Sequence, residues 1–165
     1  MPPIDLKTAP DPLLAEVLAL NAEVEAMTSA MDLPRLRQLL RWSAFAPGFV
    51  DAQGHLAAFL IGFGPGSRYD SPNYRWFADR LDPFAYIDRV VVAAPARGRG
   101  HARALYSAFA AHASERGLGP LVCEVNLTPP NPGSDAFHAA LGFTEAGRAE
   151  LGRDKSVRYL MRAPD

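Results

Sequence analysis

Hydrophobic positions along the chain change their period several times, and each change marks an element. From Asp11-Pro12 onward, Leu13, Val17, Leu20, Val24 and Met27 recur at helical spacing. That pattern predicts an amphipathic helix with Asp11 as its N-cap and Pro12 at its first position. Asp32 is the expected cap of a second helix, with Leu33, Leu36, Leu39 and Leu40 as its buried stripe and Pro34 tolerated in the first turn. The stretch GFVDAQGHLAAFLIGFG reads as two strands about a turn at 51–54. The second of them, over 56–63, is apolar on both faces and belongs at the centre of a sheet. PGSRYDSPNYRWFADRLDPF then loses any steady period, which predicts a long loop carrying a short helix.

The second half alternates regularly: strand 85–93, helix 100–116, strand 121–126, helix 132–141, then short strands near Phe143 and over 157–161. In the long helix Ala102, Leu105, Tyr106, Phe109, Ala110 and Ala113 form one face, so its axis lies against the sheet. The predicted class is α/β (α+β), a mixed, mostly antiparallel sheet flanked by helices, because the N-terminal hairpin and the C-terminal strands need no helical crossover. At 165 residues the chain is read as one domain, 1–165.

Composition narrows the partners. With 48% hydrophobic residues, 21% charged and a formal net charge of -1, the chain reads as globular, and no nucleic acid is expected as a partner. MPPIDLKTAPDPLL lacks a basic region followed by an apolar one, and no 18-residue apolar run occurs, so the expectation is a cytoplasmic protein with no membrane partner. A lone Cys123 and four histidines without ligand spacing argue against a disulfide or a metal. A homodimer stays open.

Candidate chemistry concentrates where the valines of 90–92 give way to Arg97-Gly98-Arg99-Gly100-His101-Ala102. The first turn of the following helix leaves N–H groups unpaired, and glycines remove the side chains that would keep a ligand from them. An anion with several oxygens would satisfy those donors at the positive end of the helix dipole, with Arg97 and Arg99 adding charge-assisted bonds. A triphosphate loop would want Gly-Lys-Ser or Gly-Lys-Thr there, and a dinucleotide fold a small residue in place of Arg103. A turn with no ligand is the plainer alternative.

The run from Arg97 to Ala102 resembles the Arg/Gln-x-x-Gly-x-Gly/Ala signature of the GNAT N-acetyltransferase superfamily, placed between a central strand and a long helix as in that family. LVCEVNLTPPNPGSDAFHAALGF is similar to its second half-motif, and the resemblance, which is closest to a bacterial branch carrying a segment like YDSPNYRWF, covers roughly residues 50 to 161. It implies splayed central strands, acetyl-CoA as cofactor, and transfer of an acetyl group to a primary amine of a small molecule or peptide. By that resemblance the backbone of Val90, Val91 and Val92 takes the pantetheine arm, Arg97, Gly98, Arg99, Gly100, His101 and Ala102 the pyrophosphate, and Asn131 the thiol end. Asn131 before Pro132 is equally a helix cap. The family's frequent tyrosine, four residues before the closing Gly-Phe, is here His138, a candidate acid toward the departing thiolate. His101 stands where the family is more often aliphatic and is read as a solvent-facing residue.

An alkylammonium of pKa near ~10.4 costs about 4.6 kcal/mol to deprotonate at pH 7, so a base or a water path is expected. Asp88 and Glu124 are the candidates; Asp88 is expected to share a strand face with Tyr86, Val90 and Val92, and either could instead be an ion-pair partner, for instance to Arg89. Cys123 points the other way and reads as core. In the long loop Asp70, Asn73, Tyr74 and Trp76 could cover a cationic acceptor through charge, hydrogen bonds and cation–π contact, or pack the loop down. The competing function is a CoA-binding sensor or interaction module without turnover; a nucleotide-phosphate binder is the third reading.

Overall fold

A computed structural model of the chain describes residues 1–26 and 28–165. Met27, the last member of the first predicted stripe, lies outside the described residues. In chain order the elements are β1 (Ile4–Asp5), α1 (Asp11–Glu23), α2 (Leu33–Trp42), β2 (Pro47–Val50), β3 (Leu56–Phe63), α3 (Pro72–Ala78), β4 (Ala85–Val92), α4 (His101–Glu115), β5 (Leu121–Thr128), α5 (Pro132–Ala140), β6 (Thr144–Gly152) and β7 (Lys155–Arg162). One seven-stranded sheet runs in the order β1-β2-β3-β4-β5-β7-β6, antiparallel everywhere except between β4 and β5.

The helices begin where local chemistry dictates, with one change from expectation. Asp32 caps α2 by accepting the Arg35 N–H at 2.8 Å. The cap of α1 is Pro10 rather than Asp11, which is already helical and turns its carboxylate to Arg37 of α2 at 2.8 Å. All eight residues of β3 are buried, because helices cover both faces of the sheet. One core lies on the α1–α3 side and includes Leu14, Val17, Leu36, Phe59 and Phe63. The other lies under α4 and α5 and includes Leu60, Leu105, Phe109 and Leu160. Gly62 lets α4 approach: a Cβ there would stand 2.3 Å from the Phe109 ring, so a larger residue would lift the helix off the sheet.

Two features reach beyond the sequence reading. The C-terminal strands are a long hairpin rather than two short pieces. β6 alternates between exposed and half-buried positions, so its apolar signal is weak, and the buried Phe143 stands just ahead of it. The parallel pair β4–β5 is bonded only at Ala85↔Leu121 and Tyr86↔Val122. Beyond those pairs the two strands part, leaving an opening in the middle of the sheet.

Candidate active site

A bulge in β4 decides what faces the opening. Ile61 pairs with Arg89 and Gly62 with Ile87, so Asp88 is an extra residue between them. An extra residue breaks the two-residue alternation. Asp88 and Arg89 therefore both turn toward the α1–α2 side, where Tyr69 meets the first and Asn21 the second. Tyr86 stays on that face, while Val90 and Val92 pack against the α4 core, which corrects the expectation that Asp88 shares their side.

The bulge makes neighbours in sequence into a buried ion pair. Arg89 Nε reaches Asp88 Oδ2 at 2.7 Å, with the two side chains 4% and 7% exposed. The Tyr69 hydroxyl donates to Asp88 Oδ1, also at 2.7 Å. Both oxygens of Asp88 are thus engaged, and removing one member of such a buried pair costs about 3–5 kcal/mol. Asp88 is the ion-pair partner of Arg89, the plainer of its two expected roles. Arg89 goes on to donate to Asn21 Oδ1 at 3.0 Å and to Ser29 Oγ at 3.0 Å, pinning the α1–α2 connection against the sheet.

Glu124 lies on the same face in a different environment. The Tyr86 hydroxyl stands 2.8 Å from Oε2 and 3.0 Å from Oε1, and Asn73 Nδ2 donates to Oε1 at 3.1 Å. All of these donors are neutral. Burial pushes the carboxyl up to about 8, with the Asp88 carboxylate adding to the rise and the bonds from Tyr86 and Asn73 opposing it. Asn73 is held by both ends of its amide, since its Oδ1 accepts from the Tyr159 hydroxyl at 2.8 Å. Burial, and then Glu124, push Tyr159 up to about 12, so it remains a donor.

The other loop aromatics expected to meet an acceptor are placed elsewhere. Tyr74 is 4% exposed and donates to the Gly64 carbonyl at 2.6 Å, so it fastens the loop to the end of β3. Trp76 stacks on Tyr159 at 4.1 Å, carries Arg80 over its ring and faces Gly147, where a Cβ would stand 2.5 Å away. Neither lines the opening, whereas Asp70 and Asn73 do. Asp70 accepts from the two terminal nitrogens of Arg35, at 2.5 and 3.2 Å.

On the α4 side the opening meets the glycine turn. Gly98 and Gly100 have φ of 76° and 82°, in the left-handed region, and no atom stands within 4 Å of where a Cβ would be. The first bond of α4 runs from Ala104 N–H to the Gly100 carbonyl, so His101, Ala102 and Arg103 keep their N–H groups free of backbone acceptors. Arg97 and Arg99 are exposed beside them. His101 is half-buried and tilts against Phe49 at 5.7 Å, a packing role in place of the expected exposure. The residues fit a pyrophosphate, and along Val90–Val92 the groups on the β5 side have no strand partner, the Val92 carbonyl accepting instead from Arg97 Nε at 3.4 Å. Asn131 caps α5 by accepting the Ser134 N–H at 3.3 Å and also lines the opening.

His138 is 5% exposed and its two nitrogens are both engaged. Nδ1 lies 2.7 Å from the Ser134 carbonyl, which can only accept, so Nδ1 carries the proton. Nε2 is then an acceptor for the Tyr106 hydroxyl at 2.8 Å. Burial lowers the imidazole below its ordinary value, with the Ser134 carbonyl opposing, and the ring stays neutral at pH 7. The expected donation from His138 to a thiolate is corrected: the ring presents no free N–H to the opening, and the Tyr106 hydroxyl proton is itself given to Nε2. Tyr106 was legible only as a member of the apolar stripe of α4. Tyr86 could have been paired with Glu124 from strand alternation, but Tyr69 and Tyr159 carried no sequence signal.

Asn73, Asp88 and Glu124 from one face and Gly100, Tyr106 and Asn131 from the other line one cleft of about 1380 Å³ that passes through the sheet. It exceeds the ~300–1,000 Å³ usual for a single drug-sized ligand, which suits two reactants meeting in it. A parted strand pair with a turn of unpaired N–H groups on one face and a half-buried carboxyl on the other has the donors to hold an anionic ligand and a group to take a proton from a second reactant. The Acetyltransferase (GNAT) family matches residues 17–143, most of the chain, and the chain belongs to that family. Its activity is acetyl-CoA-dependent N-acetyl transfer, with acetyl-CoA as cosubstrate.

Solved structures share the fold. Aminoglycoside 6'-N-acetyltransferase complexed with coenzyme A superposes with a TM-score of 0.75 at 12% identity, over 100% of this chain and 98% of that one. The ribosomal-protein-S18-alanine N-acetyltransferase from Escherichia coli gives 0.71 at 15% identity, over 95% and 91%. A phosphinothricin acetyltransferase from Sinorhizobium meliloti in complex with AcCoA gives 0.68 at 17%, over 99% and 89%. No curated protein matches the sequence. Among the described residues no helix is long and apolar enough to cross a membrane.

Proposed function

We propose that the chain transfers acetyl directly from acetyl-CoA to a primary amine of a small molecule or peptide, with Glu124 as the general base. The observation that carries this reading is the Glu124 carboxyl, half-buried beside the opening, touched only by neutral donors and raised to about 8. A base is most effective when its pKa lies near the working pH. Asp88 would have to leave Arg89 to act, so its role is to hold the bulge. Val90, Val91 and Val92 would bind the pantetheine arm through backbone groups, and the turn from Arg97 to Ala102 would hold the pyrophosphate at the start of α4. Acetyl-CoA, when bound, supplies the activated acyl thioester.

Glu124 Oε would accept the proton of the entering ammonium, and Tyr86 and Asn73 would keep the carboxyl oriented toward it. At the other end Tyr106 would protonate the departing thiolate by turning its hydroxyl from His138 Nε2 to the sulfur. Release of CoA thiol by the purified protein across amino acids, polyamines, aminoglycosides and peptide N-termini tests the reading. Tight acetyl-CoA binding with no thiol release on any of them would favour the sensor instead.

A further inference from the structure

The acceptor side of the cleft holds three carboxyl groups and three cations in an uneven arrangement. Asp88 is matched by Arg89 in a buried pair, and Asp70 by Arg35 in a two-point pair across the rim. Glu124 alone has no cation in contact. Lys155 is the mirror case. It opens β7 and, by the alternation that places Val157 and Tyr159 in the α1–α3 core, turns to the acceptor face, where it lines the cleft. It is exposed, and among the described residues it makes no ion pair. Arg153 and Asp154, in the hairpin turn beside it, oppose each other in charge and do not line the cleft.

We infer that the acceptor is a primary amine whose remainder carries one anionic group, an aminocarboxylate or an amine bearing another oxyanion, with the amine toward Glu124 and the anion toward Lys155. The inference rests on the activity proposed above and names its substrate class. A polyamine or an aminoglycoside fits poorly, because the carboxylates that would receive its additional ammonium groups are already bound to Arg89 and Arg35. A second ammonium would also lie near Lys155 with nothing between them, and like charges raise the free energy of the complex.

Calorimetric titration of three matched families reads this directly: glycine, β-alanine and γ-aminobutyrate, each with its primary amide and the diamine of equal length, into protein saturated with CoA. The expected result is that at one length the acid binds about 5-fold more tightly than the amide, the scale of an exposed ion pair of ~1 kcal/mol, and more tightly still than the diamine. Raised salt narrows the gap, and Lys155→Glu reverses the order. Diamines that bind as well as or better than the acids at every length overturn the inference, as does failure of every acid to bind. An acid preference that survives Lys155→Glu overturns the assignment of the anion to Lys155. Titration of acetyl-CoA alone is a separate arm: failure there counts against the proposed activity, and the ligand order is then read on the cofactor-free protein.

Discussion

Replacing Glu124 by Gln tests the base and its environment together. The amide keeps the shape of the carboxyl: its oxygen can accept from Asn73 Nδ2, and its nitrogen can donate to the Tyr86 hydroxyl, which now accepts where it donated at 2.8 Å. What it loses is the titration. An unfolded glutamate ionises near ~4.3, whereas the folded carboxyl is pushed up to about 8, chiefly by burial. The stabilising effect of the protonated form is therefore complete below ~4.3 and is lost progressively as pH rises through about 8. A span of about 3.7 units at 1.36 kcal/mol each gives about 5 kcal/mol as a ceiling, since water reaching the cleft would lessen it. Urea unfolding at closely spaced pH values should show wild type losing stability relative to Glu124→Gln between pH 5 and 8, with the difference constant above pH 9. Thiol release should run oppositely. Wild-type kcat/KM should climb to a plateau above about pH 8, while Glu124→Gln should be about 10²–10⁴-fold slower at that plateau. Parallel stability profiles would refute the raised carboxyl, and an undiminished rate at pH 9 would refute Glu124 as the base.

The remaining predictions address the cofactor turn, the thiol end and the loop. Gly100→Glu should abolish acetyl-CoA binding in a calorimetric titration while lowering stability by only about 1–2 kcal/mol, because the left-handed φ is strained for any side chain but open space surrounds the Cβ. Tyr106→Phe should reduce kcat by roughly 10–100-fold with little change in acetyl-CoA affinity, and His138→Phe should do so only by freeing the Tyr106 hydroxyl; a Tyr106→Phe protein with unchanged kcat across pH 6–9 would remove this pair from the chemistry. Trp76→Ala should cost roughly 2–4 kcal/mol in urea unfolding through its lost stack on Tyr159, and should leave the ratio of acceptor KM to acetyl-CoA KM unmoved, since the ring stands outside the cleft.

The apolar periods of α1, α2 and α4, the buried run of β3 and the glycine turn before α4 were all legible in the chain, because each depends on residues a few positions apart. A helical stripe, an N-cap at Asp32 and a positive φ at Gly100 are local facts, and the fold only had to accept them. The length of the hairpin β6–β7 is not legible because β6 alternates only between exposed and half-buried positions and has no fully buried apolar face. The allocation of roles inside the cleft was decided elsewhere. Whether Asp88 or Glu124 stands without a cation depends on the single extra residue in β4, and a bulge is set by the register against β3, which no local pattern encodes. Whether His138 donates or accepts depends on Tyr106, 32 positions away on another helix, and the orientation of Asn73 on Tyr159, 86 positions away. Sequence alone supplied the candidate groups; the tertiary structure decided which already had partners, because a proton or a charge is committed by contacts at about 3 Å and not by proximity along the chain.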